Sequence, residues 1–91
     1  MQIKNTKAFL QKLESLFAES DYILRYEKGN FKAGYCVLKD KKVIIINKYF
    51  TTEGKITCIL ELLNSTPIDT SNLTAKSIEI YNLVKQTKLF I

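Results

Sequence analysis

The sequence predicts an α+β domain: a helix, a three-stranded antiparallel meander, and then two helices packed on the sheet. Three observations carry that reading. Phe9, Leu10, Leu13, Leu16 and Phe17 recur at helical spacing. From Tyr22 to Asn47 the apolar period changes to two and ends in the run Val43-Ile44-Ile45-Ile46. After Thr51 helical spacing returns, broken at the chain's single proline, Pro67. A length of 91 residues gives one domain, residues 1–91, with a single core. Apolar residues at 46% and charged residues at 25% exclude wholesale disorder.

The first helix is expected over Thr6 to Glu19, capped by Asn5 or Thr6, with Gln11, Lys12, Glu14 and Ser15 lying off its apolar stripe. Ser20-Asp21 turns the chain into a first strand, Tyr22 to Lys28. Gly29-Asn30 suits a two-residue hairpin turn, because glycine accepts a positive φ at the first central position. That turn would set Arg25 opposite Gly34, Leu24 opposite Tyr35 and Ile23 opposite Cys36. Taking Asp40-Lys41 as the next turn pairs Leu38 with Val43, Val37 with Ile44, Cys36 with Ile45, Tyr35 with Ile46 and Gly34 with Asn47. Alternation then sorts the side chains. Tyr22, Leu24, Tyr26, Phe31, Ala33, Tyr35, Val37, Ile44 and Ile46 share one face. Ile23, Arg25, Glu27, Lys32, Gly34, Cys36, Leu38, Val43 and Ile45 share the other. Both sets are apolar near the third strand, which predicts cover on both faces of the sheet.

Thr51 or Thr52 caps the second helix, which reaches about Leu63 with Ile56, Ile59, Leu60 and Leu63 as its stripe. A third helix begins near Ser71 or Thr74, with Leu73, Ile80, Tyr81, Leu83 and Val84 on its apolar side. The ending Lys88-Leu89-Phe90-Ile91 is apolar for a terminus, so Leu89, Phe90 and Ile91 are expected to dock on the domain or to mediate self-association with a second copy.

Composition narrows the function classes. No apolar run approaches the ~20 residues of a membrane helix. The stretch from Met1 to Lys7 lacks the apolar region and cleavage site of a signal peptide, so a cytoplasmic location without membrane association is expected. Net charge is +5, and Lys28, Lys32, Lys39, Lys41 and Lys42 at the hairpin tips are the candidate nucleic-acid contacts. Against that reading, 13 of the 14 basic residues are lysine, in a chain rich in Ile, Asn and Lys, and arginine is the better fork for phosphate and guanine. An aromatic face of Tyr22, Tyr26, Phe31 and Tyr35 resembles a base-stacking platform, but aromatic residues at strand spacing beneath apolar helices read as core. Histidine is absent, which removes the commonest general base and metal ligand. Cys36 and Cys58 form no CxxC and read as small hydrophobes, so no metal and no cofactor is expected.

One juxtaposition offers a site. The expected register sets Arg25, Gly34 and Asn47 in one cross-strand row with Cys36 at its edge. A mid-strand glycine weakens a strand by roughly 0.5–1 kcal/mol and marks a bulge or a close approach. Arg25 could hold an anion over the gap that Gly34 leaves, with Asn47 orienting it. The bland alternative is that Arg25 pairs with Glu27 two residues along, as a surface ion pair.

The blocks YEKGNFKAGYC and VIIINKYFTTEGKITCILELL resemble a family of short bacterial proteins of unknown function. Their layout is also similar to the core of ImmA/IrrE-type metallopeptidases, in which strands lead into a helix carrying His-Glu-x-x-His. On this chain that motif falls on Leu60-Glu61-Leu62-Leu63-Asn64, where Glu61 alone matches. With both ligand positions lost, the resemblance implies layout and no zinc peptidase activity. The leading expectation is a non-enzymatic binding or protein-interaction module.

Overall fold

A computed structural model describes residues 6–28 and 35–86. The elements run α1 (Lys7–Glu19), β1 (Ile23–Glu27), β2 (Tyr35–Leu38), β3 (Val43–Asn47), α2 (Thr52–Ser65) and α3 (Ala75–Gln86). The α+β class and the element order are those expected. The sheet, however, is mixed.

Its strand order is β1-β3-β2. β3 pairs antiparallel with β2 in the expected register, Leu38 with Val43 and Tyr35 with Ile46. β1 pairs parallel with β3, Ile23 with Val43 through Glu27 with Asn47, and not with β2 across a Gly29-Asn30 turn. Hydrogen bonds from Ile23 N–H to the Lys42 carbonyl (2.8 Å) and from Lys48 N–H to the Glu27 carbonyl (3.1 Å) extend the parallel pairing at both ends. The physical reason lies in β3. Its four β-branched residues in a row are the pattern of a strand with a neighbour on each side, and a continuous apolar run is the mark of parallel pairing. The meander instead put the less apolar β2 in the middle. Residues 29–34, with the expected turn, Phe31, Lys32 and Gly34, lie outside the described residues.

Face parity does not depend on which strand is the neighbour, so the expected sorting holds for the described residues. The inner face carries the rows Leu24–Ile44–Val37 and Tyr26–Ile46–Tyr35. Ile44 and Ile46 there are fully buried, with Leu24, Tyr26, Tyr35 and Val37 packed around them. α1 lies against β1 and α2 against β3, while α3 packs on both helices. α1 buries the whole expected stripe, Phe9 to Phe17, and α2 adds Cys58 and Leu62 to its own. α3 buries only Ser77, Ile80 and Val84, and Leu73 is buried in the segment leading into it. Helical cover falls on this one face. The expectation of cover on both faces is therefore corrected for the described residues. β3 accounts for it: on the outer face Val43 and Ile45 are half-buried between the side chains of the two flanking strands, with no second layer needed.

Caps behave as local chemistry dictates. Thr6 Oγ1 accepts from Phe9 N–H (3.2 Å) at the start of α1, and Thr51 Oγ1 accepts from Gly54 N–H (3.1 Å) at the start of α2. Gly54 also lets the Phe50 ring lie on the first turn of α2; a Cβ there would stand 3.2 Å from that ring. Glu19, ending α1, accepts from Thr74 N–H (2.9 Å) just before α3, so one carboxylate joins two helix ends. At the hairpin end of the sheet, Lys42 sits at φ 54 and donates through Nζ to Asp21 (2.7 Å). Asp21 in turn accepts from Asp69 N–H (3.0 Å), tying the start of β1, the β2–β3 turn and the α2–α3 linker into one clasp. Among the described residues, no helix is long and apolar enough to cross a membrane.

Candidate functional site

The outer face of the sheet brings the candidate residues together, in an arrangement the meander did not anticipate. Its rows are Ile23–Val43–Leu38, then Arg25–Ile45–Cys36, then Glu27–Asn47. Arg25 and Asn47 share the face but not a row. Arg25 stands beside Ile45, and Asn47 beside Glu27. The Arg25–Gly34–Asn47 row is thus replaced by an Arg25–Ile45–Cys36 row, because β3 rather than β2 is the neighbour of β1. Gly34 lies outside the described residues.

Arg25 already has a partner. Its guanidinium lies 2.6 Å from the Glu27 carboxylate, two residues along the strand and on the same face. Both side chains are largely exposed, so the pair contributes about 0–1 kcal/mol. An anion bound by Arg25 would compete with Glu27 for the guanidinium. Asn47 Oδ1 accepts from Tyr49 N–H (3.0 Å), shaping the exit from β3. Cys36 is half-buried and forms no disulfide.

Apolar exposure is the feature that sequence reasoning missed. Ile23 is 59% exposed and Leu38 40%, flanking half-buried Val43 in a single row. Apolar residues at both parities of β1, β2 and β3 are a pattern that fits cover and exposure alike. Among the described residues two further large side chains are exposed, Tyr49 just after β3 and Ile78 on α3.

Among the described residues the candidate lysines lie at two places rather than in one stripe. Lys39, Lys41 and Lys42 lie in the β2–β3 turn, and Lys28 follows β1 at the opposite end of the sheet. Asp40 interrupts the turn cluster, and Lys42 is held by Asp21 with its ammonium 5.8 Å from the Tyr22 ring. Lys32 and the ending Leu89-Phe90-Ile91 lie outside the described residues. The tyrosines belong to the core side: Tyr22 is buried, and Tyr26 and Tyr35 are half-buried beneath the helices.

Other polar clusters serve packing. The Tyr26 hydroxyl donates to Glu14 of α1, and Lys55 of α2 lies 4.8 Å from the Tyr26 ring centre. Burial first, then the hydrogen bond to Glu14, pushes the Tyr26 hydroxyl well above its ordinary range. Glu61, the residue that matches the peptidase motif, is half-buried on α2. It adds to burial in raising the Cys58 thiol and the Tyr35 hydroxyl. The flanking positions hold buried Leu60 and exposed Asn64, whose amide donates back to the Leu60 carbonyl (3.0 Å). Among the described residues no group of three His, Cys, Asp or Glu side chains could hold a metal ion. The groove of about 410 Å³ between α1 and α3 is closed at one end by the Glu19–Thr74 cap.

Compared with known proteins, the chain matches no family model, no curated protein and no solved structure.

Proposed function

We propose that this domain is a non-enzymatic protein-interaction module whose binding surface is the outer face of its sheet. The observation that carries the reading is the Ile23–Val43–Leu38 row, apolar and exposed at both ends, on the face opposite the helices. Arg25 and Glu27 border it on one side, and Lys39, Asp40 and Lys41 follow Leu38. Charges of both signs around an apolar strip suit a protein surface with apolar side chains at its centre and mixed charges at its rim. A polyanion would be met by cations of one sign.

A photoreactive phenylalanine derivative at Leu38, compared with one at Ile78 on α3, tests the reading in cells. The expected result is one dominant protein adduct from position 38 and none from position 78. Calorimetry of the purified partner should then show an affinity at least about tenfold weaker for Leu38→Lys. Equal adducts from both positions, or an affinity untouched by Leu38→Lys, would sink the proposal. Binding of labelled RNA or DNA that weakens steeply with salt would instead favour a nucleic-acid accessory role for the lysine clusters.

A further inference from the structure

The outer edge of β1 carries a second recognition feature, separate from the face just described. In a strand, successive residues send their backbone groups to opposite sides. Ile23 N–H and the Glu27 carbonyl point to β3, since they bond Lys42 and Lys48. Ile23, Arg25 and Glu27 therefore turn their backbones inward to β3, and Leu24 and Tyr26 turn theirs outward. Because the Glu27 carbonyl points to β3, the Lys28 N–H across the same peptide points outward. No strand pairs with this outer edge among the described residues. β1 contains no proline, and its parallel register with β3 runs without a bulge from Ile23 to Glu27. A groove of about 430 Å³ follows the edge, between Glu14, Phe17 and Ala18 of α1 and Tyr22, Leu24 and Tyr26. That groove separates α1 from the edge strand of the sheet.

We infer that β1 pairs antiparallel with β1 of a second copy of this chain, about a two-fold axis passing beside Tyr26. Charge selects both the occupant and the register. A two-fold antiparallel pair must match residues whose numbers sum to a constant. The outward groups of Leu24, Tyr26 and Lys28 restrict that constant to even values, and only a sum of 52 engages all three at once; the two neighbouring values fail on charge as well. Pairing Leu24 with the partner subunit's Tyr26 would set Arg25 directly against the partner subunit's Arg25. Pairing Tyr26 with the partner subunit's Lys28 would set Glu27 against the partner subunit's Glu27. Like charges directly opposite are unfavourable. Pairing Tyr26 with the partner subunit's Tyr26 sets Arg25 opposite the partner subunit's Glu27, and Glu27 opposite the partner subunit's Arg25. Each ion pair now made within one strand, at 2.6 Å, is then exchanged for one across the axis. Leu24 and Lys28 also exchange backbone hydrogen bonds reciprocally, as an isologous interface requires. The product is one continuous sheet with the helices of both copies on one side.

Such a dimer also bears on the proposed function, though it does not rest on it. Three strands about 4.8 Å apart and about 16 Å long present a plan area of only about 230 Å². A standard protein interface buries about 800 Å² on each partner. Joining two sheets edge to edge doubles the continuous outer face.

Sedimentation of the full chain, with circular dichroism as the control for folding, tests the inference. The wild-type chain should sediment at twice its 10.5 kDa mass. Arg25→Glu and Glu27→Arg should each weaken the dimer by at least about tenfold. The double variant carrying both reversals should restore it, an outcome that loss of structure would not produce. Lys28→Pro removes an outward N–H while leaving the bonds to β3 intact, and should weaken the dimer by a similar factor. Leu38→Lys, on the outer face, should leave it unchanged. A wild-type chain that stays monomeric at about 1 mM would overturn the inference. So would a dimer indifferent to both single reversals, or a double variant no better than the singles. Loss of the dimer only on deleting Leu89 to Ile91 would overturn it too, assigning self-association to the chain end.

Discussion

The two faces of this sheet are built from similar side chains and do different work. On the inner face Ile44 and Ile46 are fully buried under α1 and α2. On the outer face Val43 and Ile45, from the same strand, are only half-buried, and Ile23 and Leu38 beside them are exposed. Residue type is nearly the same; the difference is whether a helix stripe lies opposite. Stability is therefore concentrated on one side of a single strand, leaving the other side able to change without loss of the fold.

The first way to break that comparison is to cut the inner layer. Leu13→Ala and Ile44→Ala each remove a side chain that is fully buried between helix and sheet. Each should destabilise the domain by about 2–5 kcal/mol, read from chemical denaturation. A loss below about 1 kcal/mol would mean the inner face is not the core. A smaller effect is expected from Tyr26→Phe, which keeps the ring under α1 and α2 but removes the hydroxyl that donates to Glu14. For a half-buried bond to a carboxylate the expected loss is about 1–2 kcal/mol.

Acid should then weaken the domain without touching either face. Hydrogen bonds from Thr74 hold the Glu19 carboxyl below its ordinary 4.5. The Lys42 ammonium holds Asp21, and Ser71 holds Asp69, below the ordinary 3.8. A carboxyl whose pKa is lower in the folded state binds protons more weakly there than in the unfolded chain. Its contribution is complete above the unfolded value and is lost as pH falls through the folded one. The melting temperature should thus be level above about pH 5 and fall below it. Asp21→Asn should lower the plateau and flatten the decline. Because Asp69 is exposed and Glu19 and Asp21 are only half-buried, the effect should be smaller than that of either core truncation.

Much of this architecture was legible from local pattern. The stripe from Phe9 to Phe17, the caps at Thr6 and Thr51, the β2–β3 register and the sorting of the two faces all follow from spacing and short-range chemistry. The neighbour of β1 does not. Gly29-Asn30 suits a hairpin turn, yet nothing local compares that turn with parallel pairing to β3, which is decided by where Ile44 and Ile46 find the most burial. The candidate site shifted for the same reason. Alternation puts Arg25, Cys36 and Asn47 on the right face, but their rows depend on the strand between them. Exposure of Ile23 and Leu38 was equally out of reach, because alternation tells which side chains share a face and not whether another layer covers them.

The smallest expected effect sharpens the comparison most. Leu38 ends β2 on the outer face, 40% exposed and in a row with Val43 and Ile23. Leu38→Thr keeps a strand-compatible side chain and removes apolar surface that folding only partly buries. At about 25 cal/mol per Å² of area withdrawn from water, the loss should stay within about 0.5 kcal/mol. The matched change on the inner face, Ile46→Thr, replaces an ethyl group with a hydroxyl where no water reaches, and should cost several times more. Equal losses at the two positions would mean that another part of the chain or a second copy already covers the outer face. A large difference leaves Leu38 as surface held apolar for a reason other than folding, which is the property a binding face requires.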